Sequence, residues 1–297
     1  MIDKNLTRRE FLKTGTMAVA ASTLLMNAPM DLFGQADSKT RVVLIRNKNV
    51  LDKNGTIKVE ILQQMLDEAV QTLFETNDVQ SAWKKIIKPE DIVGIKTNVW
   101  QYFRTPFELE ESIKKRVIEV GVAADNISIN DRGVLSDPIF QKATALINSR
   151  PMRTHYWSGV GTLLKNYIMF TESPAYYHPD SCADLAAIWK LPIVSGKTRL
   201  NVLVMLTPLF NCVGAHGYSS DYVWNYKGII VGVDPVACDS IGLKIIQAKR
   251  KNYFKEERPL SPPAKHIELA DTRYHLGTAD VNKIDLIKLD WKDEILI

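Results

Sequence analysis

Apolar and polar positions alternate along the chain in two periods. Residues 41–46 read RVVLIR, a β-branched run of strand length. From 57 to 74, Ile61, Leu62, Met65, Leu66, Ala69, Val70, Leu73 and Phe74 recur at three and four, the spacing of an amphipathic helix. The turn Pro89-Glu90-Asp91 opens 92–98, which is apolar until Lys96, Thr97 and Asn98 and so predicts a buried strand with polar groups at its carboxyl end. Helical spacing returns at 106–120, and a second short strand, 127–130, breaks at Asp131-Arg132-Gly133. Helices are predicted at 138–147, 159–170 and 181–189. An apolar strand at 200–206 ends at Pro208, and another at 228–233 halts at Asp234-Pro235. Helices at 236–249 and 262–276 and an alternating strand at 283–289 follow.

Strands alternating with helices predict an α/β fold, a mostly parallel central sheet with helices on both faces. In such sheets ligands sit outside the carboxyl ends of the strands, which directs attention to the polar residues there. The turn-rich stretches 171–179 and 208–226 are candidate functional loops.

Before the first strand the pattern changes character. Thr7-Arg8-Arg9-Glu10-Phe11-Leu12-Lys13 matches the twin-arginine export signature, with Arg8 and Arg9 as its defining pair. Residues 14–28 carry no charge and are too short to span a bilayer, and Gly34 and Ala36 supply the small residues that a signal peptidase needs. Residues 1–36 are therefore expected to be a signal for the twin-arginine (Tat) translocation machinery. Residues 37–297 form the mature single domain, periplasmic or otherwise exported in a bacterium. The formal net charge is +4 for the whole chain and +3 without residues 1–36, too small to argue for a nucleic-acid partner.

Cys182, Cys212 and Cys238 form no CxxC pair, so the chain has no self-contained iron-sulfur motif. Their odd number leaves at least one free thiol, and buried apolar filling is the preferred reading of them. GxGxxG, Walker and GxSxG patterns are absent from the sequence.

Three runs carry a family resemblance: Val93-Gly94-Ile95-Lys96-Thr97-Asn98, then Gly159-Val160-Gly161-Thr162-Leu163-Leu164-Lys165-Asn166, then Gly232-Val233-Asp234-Pro235-Val236-Ala237-Cys238-Asp239. In order and spacing, together with Pro263-Ala264 and Leu276-Gly277-Thr278-Ala279-Asp280 near the end, they resemble the motifs of the bacterial domain of unknown function 362 family. Some members of that family are fused to ferredoxin-like modules. That implies a redox context for those members; this sequence lacks such a module, so redox work here would need a separate iron-sulfur or redox partner.

Lysines beside amide side chains hold carboxylates and phosphates by charge-assisted hydrogen bonds. Lys96 with Asn98, and Lys165 with Asn166, are candidate ligand contacts, joined by Asp131 and Arg132 at another strand end. The plainer alternatives are a lysine that ends a strand and a solvated helix face at Lys165. His155 is the candidate acid/base group, with Lys165 and Asp234 as further catalytic candidates. Asp234 also reads as an aspartate N-cap before a proline, with Asp239 favouring the same helix end. His155, His178 and His216 lie near loops or strand ends and are candidate metal ligands, although none has the spacing of a known metal motif. The expectation is an exported protein, an enzyme that binds a small anionic ligand at the strand ends. The alternative is a non-catalytic accessory or cofactor-binding protein of a periplasmic redox system.

Overall fold

The computed structural model describes residues 39–211 and 217–297. The export signature, with Arg8 and Arg9, and also Cys212 and His216, lie outside the described residues. Lys39–Ile297 pack as one unit. In chain order it contains β1 (Thr40–Arg46), α1 (Val59–Phe74), α2 (Val79–Lys84), β2 (Val93–Lys96), α3 (Phe107–Val120), β3 (Ile127–Asn130), α4 (Pro138–Lys142) and β4 (Ala145–His155). There follow β5 (Gly159–Gly161), α5 (Leu163–Asn166), β6 (Thr198–Leu209), β7 (Gly228–Gly232), α6 (Pro235–Phe254), α7 (Lys265–Thr272) and β8 (Ile284–Asp290).

The strands make one mixed, mostly parallel sheet in the order β3-β2-β4-β6-β7-β1-β8, with β5 pairing β4. β3, β2, β4 and β6 run parallel, as do β1 and β8, whereas β7 is antiparallel to both of its neighbours. Alternation of side chains sends Val43, Ile45, Ile95 and Ile147 to one face, where Leu62 and Leu66 of α1 and Leu109 and Ile113 of α3 cover them. Val42, Leu44, Leu146 and Leu203 point to the other face, under α5, α6 and α7. Each aliphatic side chain buried in this way contributes roughly 1.5–3 kcal/mol. The apolar spacing of α1 and α3 thus serves one layer of an α/β sandwich with helices on both faces. α3 ends where Gly121 takes φ +117°, the left-handed conformation that closes a helix at little cost without a Cβ.

Strand length is what creates a niche. β2 and β3 stop in the row that aligns Asn130, Lys96, Asn148, Asn201 and Gly232, while β4 and β6 continue past it. The β2 side of β4 is taken up again only by β5, from Arg153 to His155. Between the two, the β4 backbone at 149–152 has no strand neighbour on that side among the described residues.

Several elements depart from their expected form. The helix expected at 138–147 ends at Lys142, and β4 begins at Ala145 and passes through SRPMRTH, a polar stretch with no strand pattern. β6 runs through Pro208 instead of ending there, and 159–170 divides into β5 and short helical turns. At 181–189 the expected helix becomes a left-handed turn followed by a 3-10 helix.

Candidate functional site

The row at the end of β2 is closed by amide side chains. Asn166, on the last turn of α5, donates to Asn148 Oδ1 (2.8 Å), to Ser149 O (3.1 Å) and to Lys96 O (3.3 Å). Asn148 in turn donates to Leu163 O and Asn201 Oδ1, and Asn201 donates to Val233 O. Thr105 Oγ1 donates to Ser149 O (3.2 Å) from the loop after β2. Side chains therefore complete the sheet where a strand is missing, as buried backbone groups require.

Lys96 is wholly buried beside them. Its ammonium donates to Thr97 O (2.7 Å), to Asn166 Oδ1 (3.4 Å) and to Asp131, with which it forms an ion pair. All three of its donors are thus occupied inside the protein. Burial outweighs the attraction of Asp131 and lowers the Lys96 pKa to about 8. The other oxygen of Asp131 accepts from Val99 N (2.9 Å) and so fixes the loop leaving β2.

One position further along this face of β4 lies Arg150, which the sequence pattern gave no reason to choose. It is 3% exposed, its Nε is buried without a hydrogen-bond partner, and it forms no ion pair among the described residues. Burial brings even this guanidinium down to about 10, against the favourable fields of Asp131 and Asp239. Space for it comes from Gly161: a Cβ there would meet Arg150 Nη2 at 2.8 Å, so the second glycine of β5 is needed for a close approach. Lys165 is buried as well, which overturns its reading as a solvated helix face. Among the described residues its ammonium contacts no carboxylate; its hydrogen bond goes to Cys182 Sγ at 3.4 Å, and burial lowers its pKa to about 8. Arg153, beside Gly161, lays its guanidinium 4.0 Å over the Trp100 ring.

The carboxylate on the far side is Asp239. It accepts from Leu163 N (3.0 Å) and Leu164 N (2.9 Å), and so caps α5 rather than favouring the start of its own helix as expected. Burial raises its pKa to about 7. His266, held 3.3 Å from Thr162 Oγ1, is kept neutral, its pKa lowered to about 3 chiefly by burial and further by Lys165 and Arg150.

The remaining candidates lie elsewhere. Asp234 lies two residues beyond Gly232, the β7 member of the Lys96 row, with β4 and β6 between β7 and β2; because β7 runs antiparallel to β6, the chain leaves the sheet there in the direction opposite to β2. It is an N-cap, accepting from Val236 N, Ala237 N and Thr278 N, and burial raises its pKa to about 6. This corrects its grouping with the lysines, which overlooked the direction of β7. Arg132 is exposed, although its neighbour Asp131 is buried. Asn98 is half-buried in the loop after β2, its Oδ1 without a partner. His155 ends β4, accepts from Trp157 N at Nδ1 (3.2 Å), and lines a cavity of about 310 Å³ with Thr154, Asn211, Arg250 and Arg258. His178 packs its ring 3.9 Å from that of Trp157, which thus stands next to both histidines. Among the described residues, no three His, Cys, Asp or Glu side chains gather as metal ligands.

Arg150, Cys182, Asp239 and His266 complete a buried polar cluster around Lys96 and Lys165. Buried charges are normally paired, and among the described residues two cations of this cluster, Arg150 and Lys165, have no carboxylate partner. No family model, curated protein or solved structure matches the chain.

Proposed function

We propose that the chain is an exported α/β enzyme that binds a small oxyanion, a phosphate or carboxylate group, where β2 ends beside β4. The observation that carries this reading is the buried guanidinium of Arg150, with its Nε unpartnered among the described residues, next in the cluster to a Lys165 ammonium whose hydrogen bond goes to a thiol. A planar guanidinium with free donors is suited to a two-oxygen contact with phosphate or carboxylate, and Lys165 adds a second charge. Lys96, Asp131 and Asn166, whose polar groups are used within the protein, hold the loop and the broken strand in place behind them.

Export is supported by the Arg8-Arg9 signature and its uncharged following stretch, and the family reading by the three motif runs. All three runs meet in this cluster: Lys96 belongs to the first, Lys165 and Asn166 to the second, and Asp239 to the third.

Titration calorimetry with inorganic phosphate tests the reading, with chloride at equal ionic strength as control. The expected result is one phosphate per chain, lost in Arg150→Met. Because that substitution removes a buried unpaired charge, the variant is also expected to be more stable in urea without phosphate, by about 1–4 kcal/mol. Phosphate that binds no better than chloride, or a variant that keeps full affinity, would refute the assignment.

A further inference from the structure

Cys182 ends a turn of unusual backbone. Asp180, Ser181 and Cys182 have φ of +48°, +59° and +62°, and the amide of Cys182 donates to His178 O (3.2 Å). Three consecutive non-glycine residues in the left-handed region make one turn of the wrong hand, a conformation that persists only where its surroundings hold it. Here Lys265 pairs with Asp180 at 2.5 Å and His178 packs on Trp157. The turn delivers a free, buried thiol to Lys165 Nζ at 3.4 Å, with Trp157 O at 3.7 Å on its other side. Independently, the unpartnered guanidinium of Arg150 lies within electrostatic reach of the same sulfur.

We propose that Cys182 is a nucleophile for acyl groups attached to an anion, with Lys165 as its proton acceptor and Arg150 as holder of the negative charge. This rests on the anion-binding reading above. The thiol proton passes to the neutral Lys165 amine, and Sγ bonds to the carbonyl carbon. The anionic leaving group departs while Lys165 returns the proton to it. Water then cleaves the thioester, giving the free acid and restoring the thiol; the sequence consumes no oxidant or reductant. Burial raises the thiol pKa, while Lys165, Ser158 and Arg150 draw it down. With Lys165 near 8, a large share of its amine is neutral at mildly alkaline pH.

The test uses the native full chain at pH 8, with peptide mass mapping to read Cys182 and with buried Cys238 as an internal reference. Iodoacetate, an anion, is expected to alkylate Cys182 faster than neutral iodoacetamide, by on the order of tenfold through local concentration of the anion. Inorganic phosphate should slow it. Acetyl phosphate should leave a hydroxylamine-labile acetyl group on Cys182. Arg150→Met should lose the preference for iodoacetate, and Lys165→Met should lose rate with both reagents; Arg150→Gln, also uncharged, serves as a second variant for the same loss. The proposal is overturned if native Cys182 resists both reagents, shows no preference for the anion, or stays unacylated. If calorimetry shows phosphate bound while Cys182 is inert, the thiol role alone falls; if phosphate does not bind and no preference is seen, both readings fall.

Discussion

At the scale of single residues, the cluster sets up opposed titrations. The carboxyls of Asp239 and Asp234 are raised from 3.8 to about 7 and about 6 by burial, so between those values the folded chain keeps protons that the unfolded chain has released. Stability therefore falls as pH rises through that window. Lys96 and Lys165 are lowered from 10.5 to about 8, so above 8 the unfolded chain holds the extra protons and stability rises with pH. Urea unfolding of the phosphate-free protein is thus expected to show a minimum of stability between about pH 7 and 8, a few kcal/mol deep at roughly 1.4 kcal/mol per unit of pKa displacement. Phosphate should fill that minimum, because it supplies the missing counter-charge where the lysines are protonated. A profile that climbs or falls without a minimum would count against the buried charges as placed here. Lys96, Lys165 and Asn166 were legible in the sequence because they sit in motif runs. Arg150 was not, because an arginine within SRPMRTH looks like a surface residue until the strand around it is known to be central.

At the scale of elements, the pattern reads well where a helix has one apolar face and poorly where a strand carries function. α1, α3 and β1 have the expected spacing because each turns an apolar face to one core layer, with the Arg116–Asp67 ion pair between the two helices an addition to that face. β4 carries no strand pattern because its polar positions face groups remote in sequence: Asn148 bonds Asn201 and Leu163, and Ser149 O accepts from Thr105 and Asn166, while Arg150 Nε stays without a partner among the described residues. Period-two reasoning detects a face that meets oil, and this face of β4 meets a polar cluster. Asp234 shows the reverse: its cap on α6 was legible from the Asp-Pro pair, but its position was not, since no local pattern reveals the direction of β7. Asp234→Ala is expected to cost about 1–2 kcal/mol of stability in urea through loss of the cap, while phosphate affinity stays unchanged. Weakened phosphate binding in a folded Asp234→Ala protein would show that the cap and the anion site communicate.

For the whole molecule, the export reading makes its own prediction. Replacing Arg8 and Arg9 together by lysine in the native host should leave the uncleaved chain in the cytoplasm, while the parent chain is recovered outside it with a new N-terminus near residue 37. Equal export of both, read by fractionation and N-terminal sequencing, would exclude the twin-arginine route. The sheet adds a consequence of a different kind. β1 is flanked by β7 and β8, so that Val42 pairs with Gly232 on one side and Leu286 on the other. β1, the first strand among the described residues, can acquire its β7 neighbour only after residue 232 of 297 has been synthesised and its β8 neighbour only near the end, and such distant pairings close slowly. Birth and folding are thereby separated in time: each new chain passes through an interval in which β1 is an exposed apolar edge, and a chain released before β8 keeps one side of β1 open for pairing with another chain.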